Sequence, residues 1–470
     1  MQGRVSAEDH FSGYSDLPIT CNTELIGHFG ESGGFKVERY VDAAGHECAY
    51  VDSTLVFPID VLATVGTWVF DMADPANPVL ATTLVTPAMV TPHESLLVNQ
   101  ERGLLGAVMG NPAVHPGVID LYDISADCRQ PQVISSSPAG ILGHESGWTL
   151  DGLTFYAASL ATGNTTAVDV SNPLLPVTVW TGRFASHGLS LNDDGTRAYL
   201  AARTGAGENG NAAGLIILDT TEIQQRVLNP QVSVVSTLTW PNVSIPQNAL
   251  PITIDGHPYL LEIDEFAGGP IPSTSPDAPV GAARIIDIGD EAHPAVISEI
   301  RLEVHEPENR VEVLDDPGTD FVTGGYSGHY CGVPREVDPR VAACSFIGSG
   351  LRIFDIRDPF NPREIAYFNS AGLPETGQQN VSAMAFSRPT VVPERGEVWY
   401  SDGVSGFYVV RVTNGVWPFA AEAGGPAAPA PGPAPAGSSG TAATGSAVPF
   451  GAAVVLLVLG LAVRRTRGRA

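Results

Sequence analysis

Seven times across residues 65–418 the chain repeats one pattern, a run of apolar residues usually closed by a single Asp and then a polar turn that in most copies carries Pro. The copies read TWVFDMADPANP ending at Pro78, VIDLYDISADCRQP at Pro131, TAVDVSNPLLP at Pro176 and LIILDTTEIQQRVLNP at Pro230. ARIIDIGDEAHP ends at Pro294, LRIFDIRDPFNP at Pro362 and a worn FYVVRVTNGVWP at Pro418. A period of roughly 45 to 70 residues means one supersecondary unit per copy. Such a unit buries its apolar face only against its neighbours.

Each unit divides into strands. In the third, HESGWTL (144–150), LTFYAAS (153–159), TTAVDVS (165–171) and PVTVWTG (176–182) alternate with turn signals, the first being Asp151-Gly152. Asp-Gly between apolar runs predicts a hairpin of type I′, in which both central residues take φ > 0. The device recurs at Asp194-Gly195 and Asp255-Gly256, with Arg102-Gly103 and Arg395-Gly396 as looser versions. The Asp that ends each apolar run (Asp71, Asp123, Asp169, Asp219, Asp287, Asp355) is placed to accept backbone N–H bonds in the turn behind it. Seven four-stranded antiparallel meanders in series predict an all-β fold, a seven-bladed β-propeller over residues 20–418. The last unit lacks a fourth strand, and residues 23–29 (TELIGHF) are the spare one that would close the ring and remove its exposed edges.

The units resemble the LVIVD repeat, a bacterial and archaeal β-propeller repeat, on LIILD (215–219), RIIDI (284–288) and RIFDI (352–356). The resemblance covers about residues 20–418. It implies a propeller of cell-surface type and no particular reaction.

Composition points to an exported protein. A formal charge of −27, from 51 acidic and 24 basic residues, argues against nucleic acid or anionic lipid as partner of the main domain. Lys36 is the single lysine. Of five cysteines, Cys331 and Cys344 flank one hairpin that they could bridge, while Cys21, Cys48 and Cys128 compete for a second bridge; the alternative is that all five are reduced and buried. Residues 1–19 are expected to carry little order and 419–446 form a Gly/Pro/Ala-rich linker. AVPFGAAVVLLVLGLAV (447–463) then reads as a single transmembrane helix, and Arg464, Arg465, Arg467 and Arg469 in the basic tail 464–470 would keep that end cytoplasmic. Stalk, apolar segment and basic end resemble a surface-anchoring signal of the sortase-processed kind, with TAATG (441–445) similar to its recognition pattern. The propeller is thus expected to be extracytoplasmic and monomeric, anchored to the membrane or cell wall. No signal peptide is legible in MQGRVSAEDHF, so the expected start lies upstream or the chain is a trimmed product.

Candidate chemistry lies in histidines. His93-Glu94-Ser95, His144-Glu145-Ser146 and Ser186-His187-Gly188 open three successive units at one place, and His329-Tyr330 opens the sixth. First strands of propeller blades line the central axis, so these positions converge on one ring. Three or four imidazoles there would bind copper, zinc or iron, with Glu94 and Glu145 as oxygen ligands or imidazole partners and Glu262, Asp264 and Glu265 adding carboxylates from the fifth blade. The bland reading is that repeats share residues by ancestry and each His bonds a neighbouring backbone. No H-E-x-x-H and no G-x-x-x-x-G-K-[ST] phosphate-binding loop is present.

Two functional classes follow. One is a non-enzymatic surface module that binds a protein or glycan through loops such as 205–214 and 267–282. The other is a metal-dependent enzyme working in the central channel, for which selenium-binding proteins and methanethiol oxidases, propellers with His-ligated copper, are the nearest analogy at the level of fold.

Overall fold

The computed structural model describes residues 2–6, 8–9, 12, 17–53, 66–109, 117–139, 143–159, 162–202, 213–265, 280–313, 316, 325–370 and 384–419. The linker beyond Phe419, the span 447–463, the tail with Arg464, Arg465, Arg467 and Arg469, and most of loops 205–214 and 267–282 lie outside them. Among the described residues no helix is long and apolar enough to cross a membrane.

The chain is a seven-bladed β-propeller of antiparallel sheets. Blades 1 to 6 occupy 37–84, 97–137, 146–182, 186–238, 245–300 and 328–369, each a meander in chain order. Blade 7 takes three strands from 390–412, and Thr23–Phe29 pairs antiparallel with its last strand, Gly406–Val412. A fifth strand, Ile19–Cys21, covers the outer edge of blade 6. Third and fourth strands share one irregularity, a bulge, in blades 1 to 6. The pairing of Thr23–Phe29 carries it too, between Leu25 and Gly27. A side chain at Gly27 would strike the Pro75 carbonyl of blade 1, so only Gly lets the strand lie there.

Seven apolar clusters each join two neighbouring blades. One of them packs Val37, Val51, Trp68 and Phe70 of blade 1 against Trp399, Phe407 and Val409 of blade 7. First and last blades are thus neighbours. Phe29 sits in the same seam, its ring 4.9 Å from Phe70 and 5.7 Å from Trp68.

The repeated Asp does what its position predicts. In all six copies it accepts the N–H of the residue two places on, at 2.8–3.1 Å. The Asp-Gly hairpins differ from expectation. Only Asp255-Gly256 has both residues at positive φ (52° and 78°). At 151–152 and 194–195 the Gly alone is left-handed, and the Asp carboxylate instead accepts the N–H of Leu153 or Thr196. An Asp that can bond its own turn favours the longer loop over type I′.

Two disulfides are present. Cys331–Cys344 crosses directly opposed positions of one hairpin, and Cys48–Cys128 ties blade 1 to the turn after the third strand of blade 2. Cys21 is exposed and unpaired. Against the expectation of little order before residue 20, Arg4 pairs with the buried Asp316 at 2.9 Å, and the Val5 backbone exchanges hydrogen bonds with the Tyr326 hydroxyl.

Candidate metal centre at the head of the central channel

The first strands of the blades begin on one face of the ring, and local bonds fix what stands there. Ser95 Oγ donates to the Val108 carbonyl at 2.6 Å and accepts the Val108 N–H, which pins Glu94 at the head of blade 2. His144 N–H donates to the Ala158 carbonyl, and Ala158 N–H to the Glu145 carbonyl. Glu94 and Glu145 then form a parallel bridge between blades 2 and 3. His93 holds a left-handed φ of 53°, a conformation that costs energy outside Gly and is frequent at functional sites.

All four expected histidines meet around Glu94. Its Oε2 lies 3.2 Å from His144 Nε2 and 3.9 Å from His187 Nε2, and its Oε1 lies 3.5 Å from His329 Nε2 and 3.7 Å from His93 Nε2. Glu265 reaches the same place, with Oε1 3.4 Å from His187 Nε2 and Oε2 3.1 Å from His329 Nε2. His144 Nε2 and His187 Nε2 approach to 2.7 Å.

Tautomers follow from the outer nitrogens. His187 Nδ1 is 3.2 Å from the Pro246 carbonyl and His329 Nδ1 is 2.6 Å from the Phe386 carbonyl. A carbonyl only accepts, so Nδ1 carries the proton in both rings and a neutral ring turns its Nε2 lone pair inward. Burial holds His93 well below the ordinary imidazole range, with the His144, His329 and Lys36 charges acting the same way. Burial also lowers His329, against the opposing pull of Glu94. Glu94 is pushed up to about 8, first by burial and further by Glu265 and Glu145.

Glu145 stands one step aside. Its Oε1 accepts from Lys36 Nζ at 2.9 Å and from Asn248 Nδ2 at 2.8 Å, and its Oε2 lies over Gly188, where any side chain would collide with it. Lys36 is fully buried, 4.4 Å from the centre of the Tyr330 ring. An unpaired charge at such depth is expensive, and the two neutralise each other. Lys36 was not among the expected site residues. It sits just before the first strand of blade 1, the place that His93-Glu94 and His144-Glu145 hold in their blades, so the repeat register was the available signal.

Glu262 and Asp264 do not reach the centre. Both bond the guanidinium of Arg284, Asp264 at 3.1 Å, and Asp264 also accepts from Trp240 Nε1 at 3.0 Å. Alternation along a strand puts 262 and 264 on the face packed against blade 4, while Glu265, at the strand's end, turns inward.

The centre has a dry side and an open side. Phe35, Ile347, Met384, Phe386 and Val404 form an apolar cluster beside it, with Phe35 4.1 Å from the His93 ring and Phe386 4.9 Å from His329. His144 is the accessible member, its side chain 24% exposed against 1–7% for the other three imidazoles.

Comparison with known proteins gives the shape and little else. No family model matches the chain, and no curated protein does. Among solved structures it is similar to a Bacteroides uniformis protein provisionally named a 6-phosphogluconolactonase, at a TM-score of 0.48 and 10% identity over 74% of this chain and 91% of that one. It is similar also to the periplasmic gluconolactonase of Pseudomonas aeruginosa, at 0.46 and 14% over 84% and 97%. A functionally unknown protein of Desulfotomaculum acetoxidans follows at 0.45 and 10% over 70% and 84%. Likenesses at this level carry nothing about activity, and the propeller assignment rests on this chain's own strand order.

Proposed function

We propose that the protein is a metal-dependent propeller that binds a divalent transition metal, copper, zinc or iron, at the head of its channel through His93, His144, His187 and His329 with Glu94 and Glu265. The observation that carries this reading is the inward Nε2 of His187 and His329, each fixed by a carbonyl on Nδ1, facing carboxylates 3.1–3.9 Å away. Ligands on one zinc-sized ion at about 2.0–2.1 Å stand roughly 3 Å apart, the scale of the spacings here. His93, Glu94 and His144 also offer ligand atoms that all lie within 4.8 Å of one another.

A bound divalent cation supplies a Lewis acid that polarises an oxygen ligand or lowers the pKa of coordinated water. The chain's own groups do the rest. The Pro246 and Phe386 carbonyls orient two imidazoles, Phe35 and Phe386 keep water from one side, and a substrate arrives past His144. Lys36 and Asn248 hold Glu145 away from the ligand set, so its charge is spent on the frame.

The test is elemental analysis of the full chain purified without chelator, beside a His144→Ala/His187→Ala variant. Bound metal that the variant loses in part or in full is the expected result. A folded protein that takes up no copper, zinc or iron would overturn the reading and leave the surface module, with a protein or glycan ligand, as the working answer. An LVIVD-type repeat, ring closure through Thr23–Phe29, an extracytoplasmic site and membrane attachment through 447–463 accompany the proposal. The two disulfides support the compartment, since such bonds persist where the surroundings are oxidising.

A further inference from the structure

We propose that the centre is built for two cations, bridged by Glu94 and Glu265, a proposal that rests on the metal reading above. The ligands sort into two sets by which carboxylate oxygen they face. Glu94 Oε1 faces His93 and His329, while Glu94 Oε2 faces His144 and His187. Glu265 divides the same way, its Oε2 to His329 and its Oε1 to His187. Each set therefore holds two imidazoles and one oxygen from each of two carboxylates.

One ion would serve this arrangement poorly. Six donors on a single cation fill an octahedron and leave no position for substrate or water, whereas catalytic centres keep one open. Two carboxylates that each turn their two oxygens to different imidazole pairs are the usual bridge between ions about 3.5–4 Å apart. Charge agrees. Glu94 and Glu265 lie buried beside the four imidazoles, and the single lysine is committed to Glu145. Two divalent ions offset the buried carboxylates and leave net positive charge for an anionic or oxygen-donor ligand entering past His144. Two-metal centres of this kind suit hydrolysis of an ester or phosphoester, where one ion holds the attacking oxygen and the other the leaving one.

The experiment uses the full chain, stripped with EDTA and reloaded with zinc or, separately, manganese. Zinc is counted by elemental analysis after desalting, and manganese is read by electron paramagnetic resonance. Two equivalents of zinc and an exchange-coupled manganese signal are expected in the unmodified protein. His93→Ala/His329→Ala and His144→Ala/His187→Ala should each retain one equivalent and show an isolated manganese signal. One equivalent in the unmodified protein, with an uncoupled signal, overturns the pair and leaves a mononuclear centre standing. No metal in either assay overturns the metal reading itself. Should a variant fail to fold by circular dichroism, the count and signal of the unmodified protein decide alone.

Discussion

The two faces of the propeller are built on different principles. On one face the connections are tight, and each repeated Asp bonds the backbone two residues on. On the other, the strand ends are farther apart in sequence, Glu265 to Ala283, Ile300 to Gly328 and Asn369 to Thr390, and the residues that converge come from different blades. The first face repeats one local device, each Asp bonding within its own turn, with cross-blade ties such as Cys48–Cys128 and Arg226–Asp169 added to it. The second exists only when the ring is assembled, because Lys36 and Glu145, or His329 and Glu94, meet only across blades. Stability on the turn face should therefore be divided among small independent contributions, while the histidine face should respond to single changes with large ones.

The largest effect should come from the strand that pairs with the last strand of blade 7. Deleting 23–29 strips Gly406–Val412 of its outer partner, leaving Glu397–Asp402 on the other side, and removes Phe29 from the seam between blades 7 and 1. The expected loss is several kcal/mol, a large share of the roughly 5–15 kcal/mol that holds a domain together. Thermal melting checks it. An unchanged midpoint would show that the ring closes without this strand, and the contrast between faces would lose its basis.

Next in size is Lys36→Met. It leaves Glu145 buried beside Asn248 without a counter-charge, which should cost about 3–5 kcal/mol in denaturant unfolding. Lys36→Met combined with Glu145→Gln should recover most of that, since both charges are then gone. Failure of the second change to rescue would mean that Lys36 acts through something other than the pair.

Acid sharpens the comparison on the long connection into blade 6. His305 is buried, its Nδ1 accepts the Leu302 N–H and its Nε2–H donates to the Tyr326 carbonyl, so the neutral ring is locked in place. Burial, helped by Arg301, Arg310 and Arg352 and opposed by that carbonyl, holds its pKa at about 3, below the ordinary 6.5. The folded state thus binds fewer protons than the unfolded one. Its stabilisation is complete above pH 6.5 and declines as pH falls toward 3, by a few kcal/mol in all. Unfolding free energies measured from pH 7 to 4 should fall more steeply for the native chain than for His305→Gln. Parallel curves would remove His305 as the cause.

How much of this was legible follows the same division. The turn face could be read almost completely, because Asp, Gly and Pro act within a few residues of themselves; the misread detail was the hairpin type, where an Asp side chain bonding its own loop prevailed at 151 and 194. Convergence of His93, His144, His187 and His329 was legible through the repeat register alone. Lys36 hid because pairing with a residue 109 positions away leaves no local mark. Glu262 and Asp264 looked like ligands beside Glu265, and only strand alternation against a placed neighbour, Arg284, separates them.

The smallest effect tests the turn face where it is most uniform. Asp169 accepts the Ser171 N–H at 2.8 Å and lies 3.6 Å from Arg226, with its side chain 25% exposed. Asp169→Ala removes one acceptor from a half-exposed turn, where water can replace it, so about 1 kcal/mol should be lost. Asp169→Asn keeps an oxygen in place and should lose less. Neither change should alter metal content, since nothing in the turn touches the channel head. If Asp169→Ala instead lowered metal uptake, the two faces would be coupled through blade 3, and the independence of turn and centre would have to be given up.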